Sequence, residues 1–257
     1  MGIVQKPNLP TAKVTDVVIS ADAVEAIKKL ESLGINTIKV PKNPNFDIPV
    51  NSHADMSFVH LGGETCVVQR ECNIIVNNLT NLEFNVLFSQ NEYKKEYPFD
   101  VGLNCVRIND ILIGREDSLD KTVHEFCKEH NIEIVNVNQG YSKCSICVVN
   151  ENSIITEDDS IYNKLKSKLD VLKIQSGSVK LNGYNYGFFG GCTGLIDKNV
   201  LAVNGEIKYH SSSNQIKAFL KERNVQLLEL KNGFLEDIGS ILTIREQGWK
   251  NISNFTK

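Results

Sequence analysis

Several features that mark large protein classes are missing from this sequence. Its 257 residues hold only one tryptophan, two methionines and six prolines, so collagen-like and Pro-rich low-complexity architectures are excluded. No run approaches the roughly 18 consecutive apolar residues that cross a bilayer, and Met1 to Pro10 has no apolar core of the kind a secretory signal carries. Lys6 stands where a myristoylation signal has Ser or Thr. The expectation is a cytoplasmic protein with no membrane partner. An excess of one charge is also missing: 28 basic and 31 acidic residues leave a net charge of −3. A nucleic-acid partner, which usually needs a basic face, is therefore not expected. Neither GxGxxG nor GxxxxGKS/T occurs, and the five histidines show no spacing that suggests a metal site, so no nucleotide, metal or other cofactor is expected. Seven cysteines, an odd number spread through apolar segments, argue for reduced thiols rather than a disulfide framework. Most should be small core residues.

What the chain has is the composition of a folded protein, 41% hydrophobic and 23% charged, and an internal repeat. The run Cys105 to Gly114 aligns with Cys147 to Thr156 at an offset of 42 residues. Each run reads as a β-hairpin around a polar turn. Each is followed by an acidic helix start, Glu116-Asp117-Ser118 and Asp158-Asp159-Ser160, where carboxylates and a hydroxyl can take free backbone N–H groups. Amphipathic helices over Leu119 to His130 and Ile161 to Leu169 lead to short strands, Ile132 to Val137 and Val171 to Ile174. The unit is strand, strand, helix, strand.

A third copy runs from Gly191 through Val200 to Val203, a Ser-capped helix from Asn214 to Arg223, and Val225 to Leu230. A weaker one starts at Asp55 and returns through Cys66 to Val68; its helix near Glu71 to Leu82 is poorly signalled. A fifth is split: Val17 to Ser20, a helix Ala21 to Leu33 and Asn36 to Val40 need a first strand that Ile238 to Ile244 supplies from the far end. Units of this size cannot stand alone and share a core with their neighbours. The reading is therefore one α/β domain over residues 1–257, five ββαβ units in a ring with first strands near the axis and helices outside. A generic α/β protein with evenly spaced strands is the competing reading.

Five such units resemble the pentein fold, an α/β propeller, of the guanidino-modifying enzymes: arginine and agmatine deiminases, dimethylarginine hydrolases and amidinotransferases. Gln139 to Ser145, Gly183 to Gly191 and Leu235 to Leu242 resemble more closely a bacterial domain family of that fold without an assigned activity. The resemblance implies a funnel on the pseudo-fivefold axis. There a cysteine attacks a guanidinium carbon, a histidine manages the leaving amine's proton, and carboxylates hold the cation. His53-Ala54-Asp55 matches the family's His-x-Asp pattern in residue type, in an earlier unit than usual, and the last inner strand, Asp237 to Thr243, contains no cysteine.

The site is expected at the starts of the inner strands, where Lys143 and Asp55 are ring-equivalent, as are Tyr141 and His53. Cys144 is the preferred nucleophile because the adjacent Lys143 would lower its pKa; alternation along a strand would instead point Lys143 into the funnel and bury Cys144. His53 and Asp55, two apart, suit an acid/base pair on one strand face or a polar loop end. Cys192, after Gly190-Gly191, is an alternative nucleophile or a tightly packed core thiol. Asp237 could hold a cation or cap a turn, with Ser240 beside it. The catalytic candidates are thus His53, Asp55 and Cys144, and the substrate-binding candidates Tyr141, Lys143, Cys192, Asp237 and Ser240. A small polar metabolite is the expected ligand, handled by a hydrolase, deiminase or amidinotransferase-like enzyme; the alternative is a non-catalytic binding or interaction module, like the ribosome anti-association factors of this fold.

Overall fold

The computed structural model describes residues 1–248. Four of its five sheets repeat one pattern. An antiparallel hairpin is followed by a helix and by a strand parallel to the hairpin's second arm. In the second unit the hairpin joins Phe58–Gly62 to Thr65–Val68, followed by the helix Asn73–Asn81 and Asn85–Phe88. The third uses Val106–Ile108, Ile111–Gly114, the helix Lys121–Glu129 and Glu133–Asn136. The fourth uses Ile146–Asn150, Ser153–Thr156, the helix Asp159–Leu165 and Asp170–Lys173. The fifth uses Thr193–Asp197, Val200–Val203, the helix Ser213–Glu222 and Gln226–Glu229.

The first unit closes the ring. Val14–Ser20, the helix Val24–Ser32 and Asn36–Val40 take their inner strand, Leu242–Glu246, from the other end of the chain, and Gly2–Ile3 pairs with that strand on the side away from Val14–Ser20. That closing strand begins four residues later than Ile238, because Gly239 and Ser240 both have left-handed backbone (φ +68° and +71°) and form a turn instead. Inner strands of neighbouring units lie side by side: Ile146–Asn150 against Thr193–Asp197, and Thr193–Asp197 against Leu242–Glu246. This is the five-unit α/β propeller.

Apolar faces of adjacent sheets fill the space between them. Val106, Ile113, Val148, Ile154, Leu201 and Val203 belong to one continuous core spanning three units. All seven cysteines are free and buried, and burial pushes the thiols of Cys66 and Cys147 up to about 12. No helix among the described residues is long and apolar enough to cross a membrane.

Local details depart from the sequence reading. The third helix starts at Asp120, whose carboxylate accepts from Thr122 N, rather than at Glu116 to Ser118, which lie in a turn. Asp158 caps the fourth unit's helix as expected, accepting from Ile161 N. Ser212 makes no side-chain cap; its hydroxyl accepts from Gln175 N instead. A bulge between Val148 and Asn150 adds one residue to the fourth inner strand, absent from the third. The 42-residue repeat therefore holds on the outer strands and becomes 41 on the inner ones, pairing Val106 with Cys147.

Candidate active site

The segments that lead into the inner strands converge at one end of the ring. His53 and Asp55 precede the second unit's hairpin, Asn104 the third, Lys143 and Cys144 the fourth, Gly190 and Gly191 the fifth, and Asp237 to Ser240 the closing strand. His53, Asp55, Lys143, Cys144, Asp237 and Ser240 are all buried. The His53–Asp55 pair does not lie on a strand face. Ala54–Ser57 is a single helical turn that follows His53 directly, with Asp55 N bonded to Gly239 O. The turn folds both side chains inward, and potential ligand atoms of His53, Asp55 and Cys144 lie within 4.8 Å of one another.

Cys144 Sγ donates to Asp55 Oδ2 at 3.1 Å and accepts from Asn104 Nδ2 at 3.4 Å. Asn104 Oδ1 accepts from the backbone N–H groups of Lys143 (2.7 Å) and Cys144 (3.3 Å), fixing the turn that presents the thiol. Ser240 Oγ donates to Asp55 Oδ2 at 2.6 Å and accepts from Lys143 Nζ at 3.1 Å. The ammonium therefore sits against Ser240 and does not line the cavity above Cys144. Cys144 does reach that cavity, because it lies in a turn before the strand, where strand alternation does not apply. The expected lowering of its pKa by Lys143 is overturned. Burial first, then the charges of Asp55 and Asp237, push the thiol well up.

Burial also dominates the other groups. It pushes Asp55 up and His53 down, and lifts Asp237 to about 6 against the opposing hydrogen bonds from Phe188 N and Gly239 N. Asp237 thus both closes the Gly239 turn (Oδ1 to Gly239 N, 3.0 Å) and faces His53 Nδ1 at 3.8 Å. Glycine is required on two sides. A Cβ at Gly239 would lie 2.3 Å from that of His53, and one at Gly191 would lie 2.0 Å from Asp237 Oδ1.

Above this floor is a cavity of about 230 Å³ lined by Val50, His53, Tyr141, Cys144, Leu181, Tyr184, Asn185, Tyr186, Phe188 and Asp237. Tyr184 and Tyr186 are partly exposed at its wall rather than in the core, whereas Phe189 is fully buried. Tyr141 lines the cavity and donates to Asp100 Oδ2 at 2.6 Å. Cys192 does not line it: its thiol is fully buried and donates to Phe189 O at 3.0 Å. Asn104 carries no signal in the sequence, because its partners lie 39 and 40 residues away.

A sequence model described as a family of unknown function (DUF6873) matches residues 18–242. The chain belongs to that family. No curated protein matches it in sequence. Among solved structures, DUF6873 in this chain is similar to an amidinotransferase of the saxitoxin pathway of Microseira wollei, with TM-score 0.55 and 11% identity over 94% of this chain and 98% of that one. The DDAH of Pseudomonas aeruginosa, solved with citrulline, gives TM-score 0.56 and 8% identity over 89% and 96%. The agmatine deiminase of C. jejuni gives TM-score 0.56 and 11% identity over 94% and 96%. At such identities the likeness is one of fold, and it is the pentein fold.

Proposed function

We propose that this protein modifies a small guanidino or amidino compound with Cys144 as nucleophile. The observation that carries the reading is the convergence of a thiol, an imidazole and two carboxylates at the floor of an aromatic cavity. Tyrosine and phenylalanine faces and the Asp237 carboxylate suit a planar cation. Lys143, which would repel such a cation, is turned away into its bond with Ser240. The amidinotransferase and deiminase among the structural neighbours support the same chemistry.

In the proposed sequence Asp237 holds the guanidinium while Cys144 Sγ attacks its central carbon. Asp55, already bonded to the thiol, takes the S–H proton; burial makes it a stronger base than an exposed carboxylate. The C–S bond forms, the C–N bond to the leaving amine breaks, and that amine departs with the proton relayed from Asp55. Water, deprotonated by the neutral imidazole of His53, then attacks the thiouronium carbon; the C–S bond breaks and the sulfur recovers its proton from the imidazolium. An amine acceptor in place of water gives amidino transfer.

The test is a panel of guanidino and amidino compounds assayed for ureido or transferred-amidino product, with intact-mass detection of a Cys144 adduct. Turnover by the native protein and a loss of about 10³-fold or more in Cys144→Ser are expected. Turnover unchanged in Cys144→Ser, or a ligand that raises thermal stability with neither product nor adduct, overturns the reading; the second outcome establishes the binding-module alternative.

A further inference from the structure

The floor of the cavity has two unsatisfied polar atoms among the described residues. His53 Nδ1 and Asp55 Oδ1 are buried and have no hydrogen-bond partner, although leaving a buried polar group orphaned is costly. Asp55 Oδ2 is fully engaged by Ser240 and Cys144, which leaves Oδ1 as a free acceptor. One nitrogen, one oxygen and one sulfur donor stand within 4.8 Å of one another, and two of the three residues, His53 and Cys144, line the cavity. A borderline-soft divalent ion takes this donor set, at about 2.0–2.3 Å from each atom.

We infer that His53, Asp55 and Cys144 form a site for a zinc-class divalent cation, with its fourth position facing the cavity. Three protein donors and one open position form the arrangement of an accessible rather than a structural zinc site. The ion forms a bond to Cys144 sulfur and the S–H bond is lost, its proton leaving to solvent. Histidine spacing gives no hint of this site, because the only histidine in it is joined by ligands 2 and 91 positions away. The inference stands without the proposed catalysis; one consequence, that the ion and a guanidinium exclude each other at Cys144, rests on that reading.

The experiment titrates chelator-treated full-length protein with Zn²⁺ against a chromophoric chelator, and with Co²⁺ while recording the thiolate-to-cobalt absorption. One equivalent bound with Kd below about 1 μM is expected. Cys144→Ser, His53→Ala and Asp55→Asn should each weaken binding by more than about 100-fold. Cys66→Ser, far from the floor, should bind as the native chain does, and circular dichroism of each variant without metal identifies any that fail to fold. Absent binding, absent thiolate absorption with Co²⁺, or affinity that survives in a folded Cys144→Ser overturns the inference. Because no guanidino compound is present, loss of metal binding and loss of turnover are read separately.

Discussion

Asn104 shows how much of the site depends on one side chain that touches no solvent. Its amide oxygen holds the N–H groups of Lys143 and Cys144, and its amide nitrogen donates to the sulfurs of Cys144 and Met56. Removing it strands two buried donors, at about 1–3 kcal/mol for an unsatisfied group. Asn104→Ala should therefore lower unfolding free energy by about 2 kcal/mol or more, measured by urea denaturation, and free the turn that carries the thiol. A change below 0.5 kcal/mol would mean that water replaces the amide at no cost. Ser240 is the complementary case. It has left-handed backbone (φ +71°), which disfavours a side chain, and three hydrogen bonds hold it there: its N–H to Gly191 O, its hydroxyl to Asp55, and the ammonium of Lys143 onto its oxygen. From sequence, Asp55 and Lys143 are equivalent positions on the ring and Ser240 stands beside Asp237 on the closing strand, but the hydroxyl that joins the three was not legible, since nothing local distinguishes a strained serine from a turn serine.

At the scale of the element, the helices of four units end the same way. The residue after each C-cap is left-handed: Gly34, Glu83, Asn131 and Asn224, with φ between +53° and +78°. The chain reverses there into the third strand of the unit. Glycine and asparagine adopt this conformation readily, and glutamate does not. Glu83 is exposed and its neighbours do not need its carboxylate for the turn, so Glu83→Gly should raise stability by about 0.5–1 kcal/mol, visible as a higher urea midpoint at unchanged m-value. A lower midpoint would show that backbone entropy outweighs the relief. The ββαβ order, the hairpins and the polar turns were readable because their period and punctuation are local. The helical turn Ala54–Ser57 was not: four residues carry too little periodicity to separate a turn of helix from a strand end, and only the docking of Asp55 N on Gly239 O decides it.

The whole molecule balances buried groups that titrate in opposite directions. Burial pushes His60 and His210 down to about 4 and lifts Glu157 to about 8. A depressed histidine stabilises the fold above the unfolded value near 6.5, and that contribution is lost as pH falls toward 4. A raised carboxyl works the other way. Between its unfolded value near 4.5 and about 8 the native state holds a proton that the unfolded chain has released, so stability falls as pH rises through that window. As pH rises above 7 the two histidines become neutral in both states, leaving the raised carboxyls, Glu157 together with Asp55, to set the slope. Glu157 alone should lower stability by up to about 2 kcal/mol from pH 6.5 to 8, at no more than about 1.4 kcal/mol per pH unit for one group. Glu157→Gln, which keeps an acceptor for Phe189 N, should reduce the decline by that amount. A slope unchanged in the variant assigns it to another group.

Composition and periodicity were enough for the α/β class, the five-unit repeat and the joining of the two chain ends, because apolar spacing and turn residues act within a few positions of each other. The chemistry at the centre was settled only by closure of the ring. Cys144 bonds Asp55 across 89 positions and Ser240 bonds Asp55 across 185, and at those separations no local pattern specifies which side chains meet. The thiol's environment follows the same rule. A sequence neighbour, Lys143, suggested a lowered pKa, but the folded chain turns that cation toward Ser240 and sets two carboxylates and a desolvating core around the sulfur instead.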